Sequence, residues 1–119
     1  MSDGIRVAIV EDDRGIRATL REMIDGEPGF TCPGVFEDGE SAIEALPGME
    51  ADVILVDLHL PGMSGVELIA ALSGTCRGRF MVLTVYDDSR NIFEALAAGA
   101  SGYLLKRGIP DRLIPALRE

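Results

Sequence analysis

Residues 51–65 read ADVILVDLHLPGMSG, and the organisation of the chain can be worked out from them. The run ADVILV (51–56) is continuous enough in apolar residues to be a strand buried on both faces, as strands of parallel sheets are. It stops on a carboxylate, Asp57. Pro61, Gly62 and Gly65 then interrupt the chain. Ser64 is placed to cap a helix, GVELIAAL (65–72), with Glu67 three residues on as its capping-box partner. The stretch is therefore a strand, a rigid turn and a helix, with one acid delivered to the strand's tip.

The same unit recurs on either side. IRVAIV (5–10) is a short β-branched strand, and RGIRATLREMID (14–25) spaces Ile16, Leu20, Met23 and Ile24 as one helix face. The opposite face carries Arg14, Arg17 and Arg21, most simply a solvated surface. FTCPGVF (30–36) is a weaker strand, because Pro33 cannot donate to a ladder, which suggests an edge position. GESAIEAL (39–46) is a short helix closed by Pro47 and Gly48. RFMVLTV (79–85) is a further buried strand, DDSRNIFEALAAG (87–99) a helix, GYLL (102–105) a fifth strand and PDRLIPALRE (110–119) a last helix. Pro115 fits that helix only if it lies in the opening turns. Five β-then-α units imply a parallel sheet covered by helices on both faces. Ligands of such folds lie beyond the carboxyl ends of the strands.

Bulk properties narrow the function. The 119 residues make one ordinary domain, and 47% hydrophobic residues are enough to fill its core. Twenty acidic residues against eleven basic ones give a net charge of −9, which argues against direct binding to nucleic acid or an anionic membrane. Cys32 and Cys76 form no metal-ligand or disulfide pattern, and reduced thiols in a cytoplasm are expected. The opening MSDG is polar, so no signal peptide is expected, and no run approaches the ~20 apolar residues of a membrane span.

The chemistry sits at the strand ends. The first strand ends in Glu11, Asp12 and Asp13, the third in Asp57; the fourth has Thr84 near its end, and Lys106 follows the fifth. Crowded carboxylates repel one another and stay ionised most easily when a cation joins them. Oxygen ligands with few protein carboxylates and room for water suit Mg²⁺. A carboxylate nucleophile, a metal, an ammonium and a hydroxyl together make a site for a phosphoryl group carried on Asp57.

With these residues the sequence resembles the receiver domain of bacterial two-component response regulators. The resemblance runs from RVAIVEDD (6–13) through VDLHLPGMSGVEL (56–68) and VLTVYDD (82–88) to EALAAGASGYLLK (94–106), and the last two stretches look most like the NarL/FixJ-type branch. It implies a doubly wound, flavodoxin-like α/β fold with a five-stranded parallel sheet in the order 2-1-3-4-5 and helices on both faces. It also implies that residues 1–119 are one receiver domain. Asp57 matches the phosphoacceptor. Asp12, Asp57 and the backbone carbonyl of His59 match the ligands of Mg²⁺ (or Mn²⁺), with Glu11 acting through water and Asp13 at the start of the first helix. Thr84 and Lys106 match the residues that hold the phosphoryl oxygens, and Tyr103 the aromatic switch that responds to Thr84. The side chains of His59 and Tyr86 border the approach of the hydrolytic water.

The implied function is a cytoplasmic, phosphorylation-controlled switch. It takes a phosphoryl group from a sensor histidine kinase and alters its interaction surface, with a homodimer on phosphorylation as one outcome. It is a substrate more than an enzyme, although it assists its own phosphorylation and dephosphorylation. Regulators of this branch usually carry a helix-turn-helix DNA-binding domain after the receiver, which would supply the transcriptional output. In one departure, Arg107 follows Lys106 where many receivers have proline, often with a cis bond; a cis bond to a non-proline costs about 2.5–4 kcal/mol. Other readings fit less well. An aspartate-nucleophile phosphatase would place a second acid where His59 stands. A flavodoxin-like cofactor site would need Gly, Ser and Thr after the first strand, where EDDRG stands. A phosphate-independent interaction module would normally lack key site residues.

Overall fold

A computed structural model describes residues 4–85 and 89–118. Strand β1 (Ile5–Val10) leads to helix α1 (Arg14–Asp25), β2 (Phe30–Thr31), β3 (Val35–Phe36) and α2 (Gly39–Ala45). Then follow β4 (Val53–Asp57), α3 (Gly65–Leu72), β5 (Arg79–Thr84), α4 (Ser89–Ala98), β6 (Ala100–Leu105) and α5 (Ile109–Leu117). Single 3₁₀ turns at Leu46–Gly48 and Lys106–Gly108 close α2 and precede α5. All pairings are parallel, in the order β2-β1-β4-β5-β6, and β3 also pairs with β1.

The expected order 2-1-3-4-5 holds once β2 and β3 are taken as one edge strand in two pieces. From Ile5↔Phe30 to Ile9↔Val35 the chain advances four residues along β1 but five along the edge. Pro33, which has no N–H to donate, lies in the break. The ladder still resumes there, because Ile9 N–H donates to Gly34 O at 3.2 Å.

Alternation along the strands distributes the core. Ala8, Val10, Ile54, Val56, Phe80 and Val82 face the layer of α2, α3 and α4, packing on Ala42, Leu68, Ile69 and Ala95. Val7, Ile9, Val53, Leu55, Leu83 and Leu104 face the other layer, against Leu20 and Ile24 of α1 and Leu113 and Leu117 of α5. A two-residue period on strands buried on both sides produces this division. Among the described residues no helix is long and apolar enough to cross a membrane.

Local signals place the helix starts. Asp13 caps α1 by accepting from Ile16 N–H at 2.9 Å, and Asp38 caps α2 by accepting from Ser41 N–H at 2.7 Å. The capping box at α3 is formed: Glu67 N–H donates to Ser64 Oγ at 3.1 Å and Ser64 N–H to Glu67 Oε1 at 2.9 Å. Between Asp57 and that helix, Gly62 has φ +69°, and a Cβ at Gly65 would lie 2.5 Å from the Asp57 carbonyl oxygen. Glycine is required where the turn after Asp57 folds back on its own strand.

Two expectations at the C-terminal end change. The last strand begins at Ala100 rather than at 102, with Ala100 opposite Phe80 and Gly102 opposite Met81. Ser101 is the extra residue of a bulge, which hid the strand's start in a polar, Gly-containing stretch. Helix α5 begins at Ile109, so Pro115 is inside it and not in the opening turn. The missing N–H falls near the end of the helix, which closes two residues later at Leu117.

Candidate functional site

The register of the sheet brings the acidic and basic strand ends together. Val10 pairs with Val56, so Glu11 and Asp12 leave β1 beside Asp57, the last residue of β4. Thr84, the last residue of β5, pairs with Leu105, and Lys106 follows it. This is also where the strand order reverses between β1 and β4, the place where doubly wound sheets open a crevice. Glu11, Asp57 and Thr84 are the buried polar residues among those described; Glu11 and Thr84 are wholly enclosed.

Carboxylate oxygens of Glu11, Asp12 and Asp57 lie within 4.8 Å of one another. Lys106 Nζ is 2.9 Å from Glu11 Oε1 and 3.4 Å from Asp57 Oδ1. Glu11 Oε2 accepts from Asp13 N–H at 3.0 Å, and Asp57 Oδ1 accepts from His59 N–H at 3.2 Å. Asp12 and the His59 side chain are exposed.

This crowding shows in the protonation energetics. Burial raises the Glu11 carboxyl from its ordinary 4.5 to about 7. The charge of Asp57 pushes the same way, while Lys106 and the Asp13 N–H oppose it. For Lys106, burial works against the ammonium, but the adjacent Glu11 and Asp57 carboxylates outweigh it and raise its pKa. The contact between Lys106 and Glu11 is an ion pair without the alignment of a hydrogen bond, so the buried Oε1 has no hydrogen-bond donor. Two buried acids, a third at the rim and a buried carboxylate oxygen held by an ion pair alone suit a hard divalent cation.

The remaining expected site residues fall as follows. The Lys106–Arg107 bond is trans, and no described peptide bond is cis. The lysine reaches both acids with that bond trans. Tyr103 is 46% exposed and pairs with Val82. It lines a surface cavity of about 350 Å³ with Arg107, Gly108 and Arg112. Tyr86 lies outside the described residues, as do Asp87 and Asp88 at the expected start of the fourth helix.

The arginine stripe is not uniform. Arg14 and Arg21 are exposed, and Arg21 pairs with Asp25 at 3.6 Å. Arg17 is partly buried and donates from Nη1 to the carbonyls of Glu11 at 2.8 Å and Asp12 at 3.3 Å. It is therefore not part of a purely solvated face. The available signal was its place one turn into α1, since helical side chains lean back toward the N-terminus.

Comparison with known proteins agrees with this geometry. Residues 7–118 match the family described as response regulator receiver domain. The nitrate/nitrite response regulator protein NarP of Escherichia coli is 38% identical over 114 residues, covering 95% of this chain and 53% of that protein. The uncharacterized transcriptional regulatory protein YxjL of Bacillus subtilis is 37% identical over 120 residues, covering 98% of this chain and 54% of that one. The signal receiver domain of the putative response regulator NarL from Mycobacterium tuberculosis superposes with a TM-score of 0.85 at 26% identity, covering 98% of each chain. The chain thus spans about half the length of the curated relatives it matches.

Proposed function

The chain belongs to the response regulator receiver domain family, with relatives of the NarL and NarP type, and on that premise we propose that it is a phosphorylation-controlled switch with Asp57 as its phosphoacceptor. The observation that carries the assignment is the pairing of the partly buried Lys106 with the buried Glu11 and Asp57 at the carboxyl ends of the strands. The described contacts of the Asp57 carboxylate both fall on Oδ1, so Oδ2 is the oxygen that attacks phosphorus. With a phosphohistidine donor, the Asp57 O–P bond forms as the P–N bond breaks, and the imidazole departs with the electron pair. The partner this requires is a sensor histidine kinase.

Asp12, Asp57 and the His59 carbonyl would hold Mg²⁺ or Mn²⁺, with Glu11 acting through water. The cation would neutralise charge on the phosphoryl oxygens. Lys106 and the Thr84 hydroxyl bind those oxygens, and the His59 N–H steadies Oδ1 of the acceptor. The protein's own groups thus assist phosphoryl transfer and hydrolysis, while the protein remains the substrate of the exchange. Thr84 is the internal sensor and Tyr103 the external one. Movement of the Thr84 hydroxyl toward the phosphoryl group makes room for the half-exposed Tyr103 ring, and the surface around α4, β6 and α5 changes with it. The His59 and Tyr86 side chains set how quickly water reaches the phosphorus.

On this reading residues 1–119 are the receiver unit of a cytoplasmic protein, phosphorylation favours a homodimer, and transcriptional output runs through a C-terminal DNA-binding domain. The test is mass spectrometry of wild type and Asp57→Asn after incubation with acetyl phosphate and Mg²⁺. One phosphoryl adduct on the wild type and none on the variant is expected. Equal mass gain in both would refute the assignment.

A further inference from the structure

The three arginines of α1 differ in what they touch. Arg14 and Arg21 are exposed, whereas Arg17 turns back along the helix, and its Nη1 reaches two successive carbonyls, Glu11 O and Asp12 O. These belong to the short connection that carries two of the three clustered carboxylates.

The two residues in that connection are held to different extents. Glu11 is anchored several times: its N–H donates to Phe36 O at 2.9 Å, and its carboxylate accepts from Asp13 N–H. Asp12 is exposed, and the only described hydrogen bond to it is the one from Arg17 to its carbonyl. The peptide between Asp12 and Asp13 is held from both sides: its N–H donates to Glu11 Oε2 at 3.0 Å and its carbonyl accepts from Arg17 at 3.3 Å, and Arg17 also holds the Glu11 carbonyl one residue earlier. Mg²⁺ demands near-ideal octahedral geometry. A small rotation of one of so few protein ligands weakens its binding.

We propose that Arg17 is a positioning residue for the divalent-cation site, holding the Glu11–Asp12 backbone so that the Asp12 carboxylate converges with those of Glu11 and Asp57. This rests on reading the acidic group as the cation site of a phosphoacceptor. Arginine suits the task because its long, permanently charged side chain carries one nitrogen, Nη1, to both carbonyls, and the rigid guanidinium plane fixes the directions of the two hydrogens on it. The charge of Arg17 by itself would act the other way, by repelling a cation. Geometry and charge thus predict opposite signs when the side chain is removed.

The experiment is a Mn²⁺ titration of the full chain, with free metal read by electron paramagnetic resonance and folding checked by circular dichroism. Arg17→Ala should bind Mn²⁺ about tenfold more weakly than wild type, within the range typical of outer-shell support. Arg17→Lys should recover part of that loss and remain about threefold weaker. Arg14→Ala, on the exposed part of the same helix, should match wild type. If Arg17→Ala does not fold, the lysine variant carries the test. Unchanged or tighter binding in the folded Arg17 variants would overturn the proposal, as would equal weakening in Arg14→Ala. Asp12→Ala and Asp57→Asn separate the two levels. If they bind Mn²⁺ like wild type, the cation-site reading fails and the role of Arg17 falls with it. If they lose binding and the Arg17 variants keep it, only the role of Arg17 fails.

Discussion

The Lys106 ammonium lies closer to Glu11, at 2.9 Å from Oε1, than to Asp57, at 3.4 Å from Oδ1. The lysine thus serves as countercharge first of all to the acid at the end of the first strand. On the proposed mechanism its ammonium is shared with a phosphoryl group on Asp57, and Glu11 then depends on the metal for compensation. Ion pairing and metal binding are alternative ways of balancing one buried cluster of negative charge, and phosphorylation would add to the charge that they must balance.

The cluster should make stability depend on pH when no divalent cation is present. The Glu11 carboxyl is raised by burial from 4.5 to about 7. Its favourable contribution is complete below pH 4.5 and is lost as pH rises through about 7. Glu11→Gln removes that titration. In urea denaturation with chelator, the variant should be more stable than wild type at pH 8 by about 1–3 kcal/mol, with a smaller advantage at pH 5. An advantage that is constant across this range would show that Glu11 does not titrate there.

Divalent cation should stabilise the folded protein. A ligand at ten times its Kd contributes about 1.4 kcal/mol. Thermal melts with and without Mg²⁺ should show an upward shift in wild type that is absent from Asp12→Ala. The same shift in both proteins would place the cation elsewhere.

Thr84→Ala should still accept phosphate on Asp57 but transmit it poorly. Thr84 is enclosed at the end of β5, while Tyr103 is half exposed on the neighbouring strand. Two-dimensional NMR should show phosphate-dependent shifts around Tyr103 in wild type that are reduced in the variant. Identical shifts in both would uncouple the two residues.

The phosphorylated form should be long-lived. Hydrolysis needs a water aligned behind phosphorus, and neither His59 nor Tyr86 offers a carboxylate or amide to orient one. Phosphate loss followed over time should be clearly faster in the double variant His59→Asn with Tyr86→Glu. Equal or slower decay would remove these side chains from the account of phosphate lifetime.

The sequence alone determined where the first strand ends and where the first three helices begin. Apolar runs, caps such as Asp13 and Ser64, and the glycines after Asp57 act over a few residues, and such signals survive without knowledge of the fold. They also place Glu11, Asp57, Thr84 and Lys106 at strand ends, because a parallel sheet puts all its carboxyl ends on one side. Other features were decided only by tertiary structure. The break of the edge strand around Pro33 and the bulge at Ser101 depend on register against β1 and β5. The preference of Lys106 for Glu11 depends on how β6 and β1 lie across the intervening strands. The inward turn of Arg17 required an acceptor pair that helical periodicity does not describe. Local patterns fix most elements to within a residue or two, but a long polar side chain chooses its partner only after distant strands have come together.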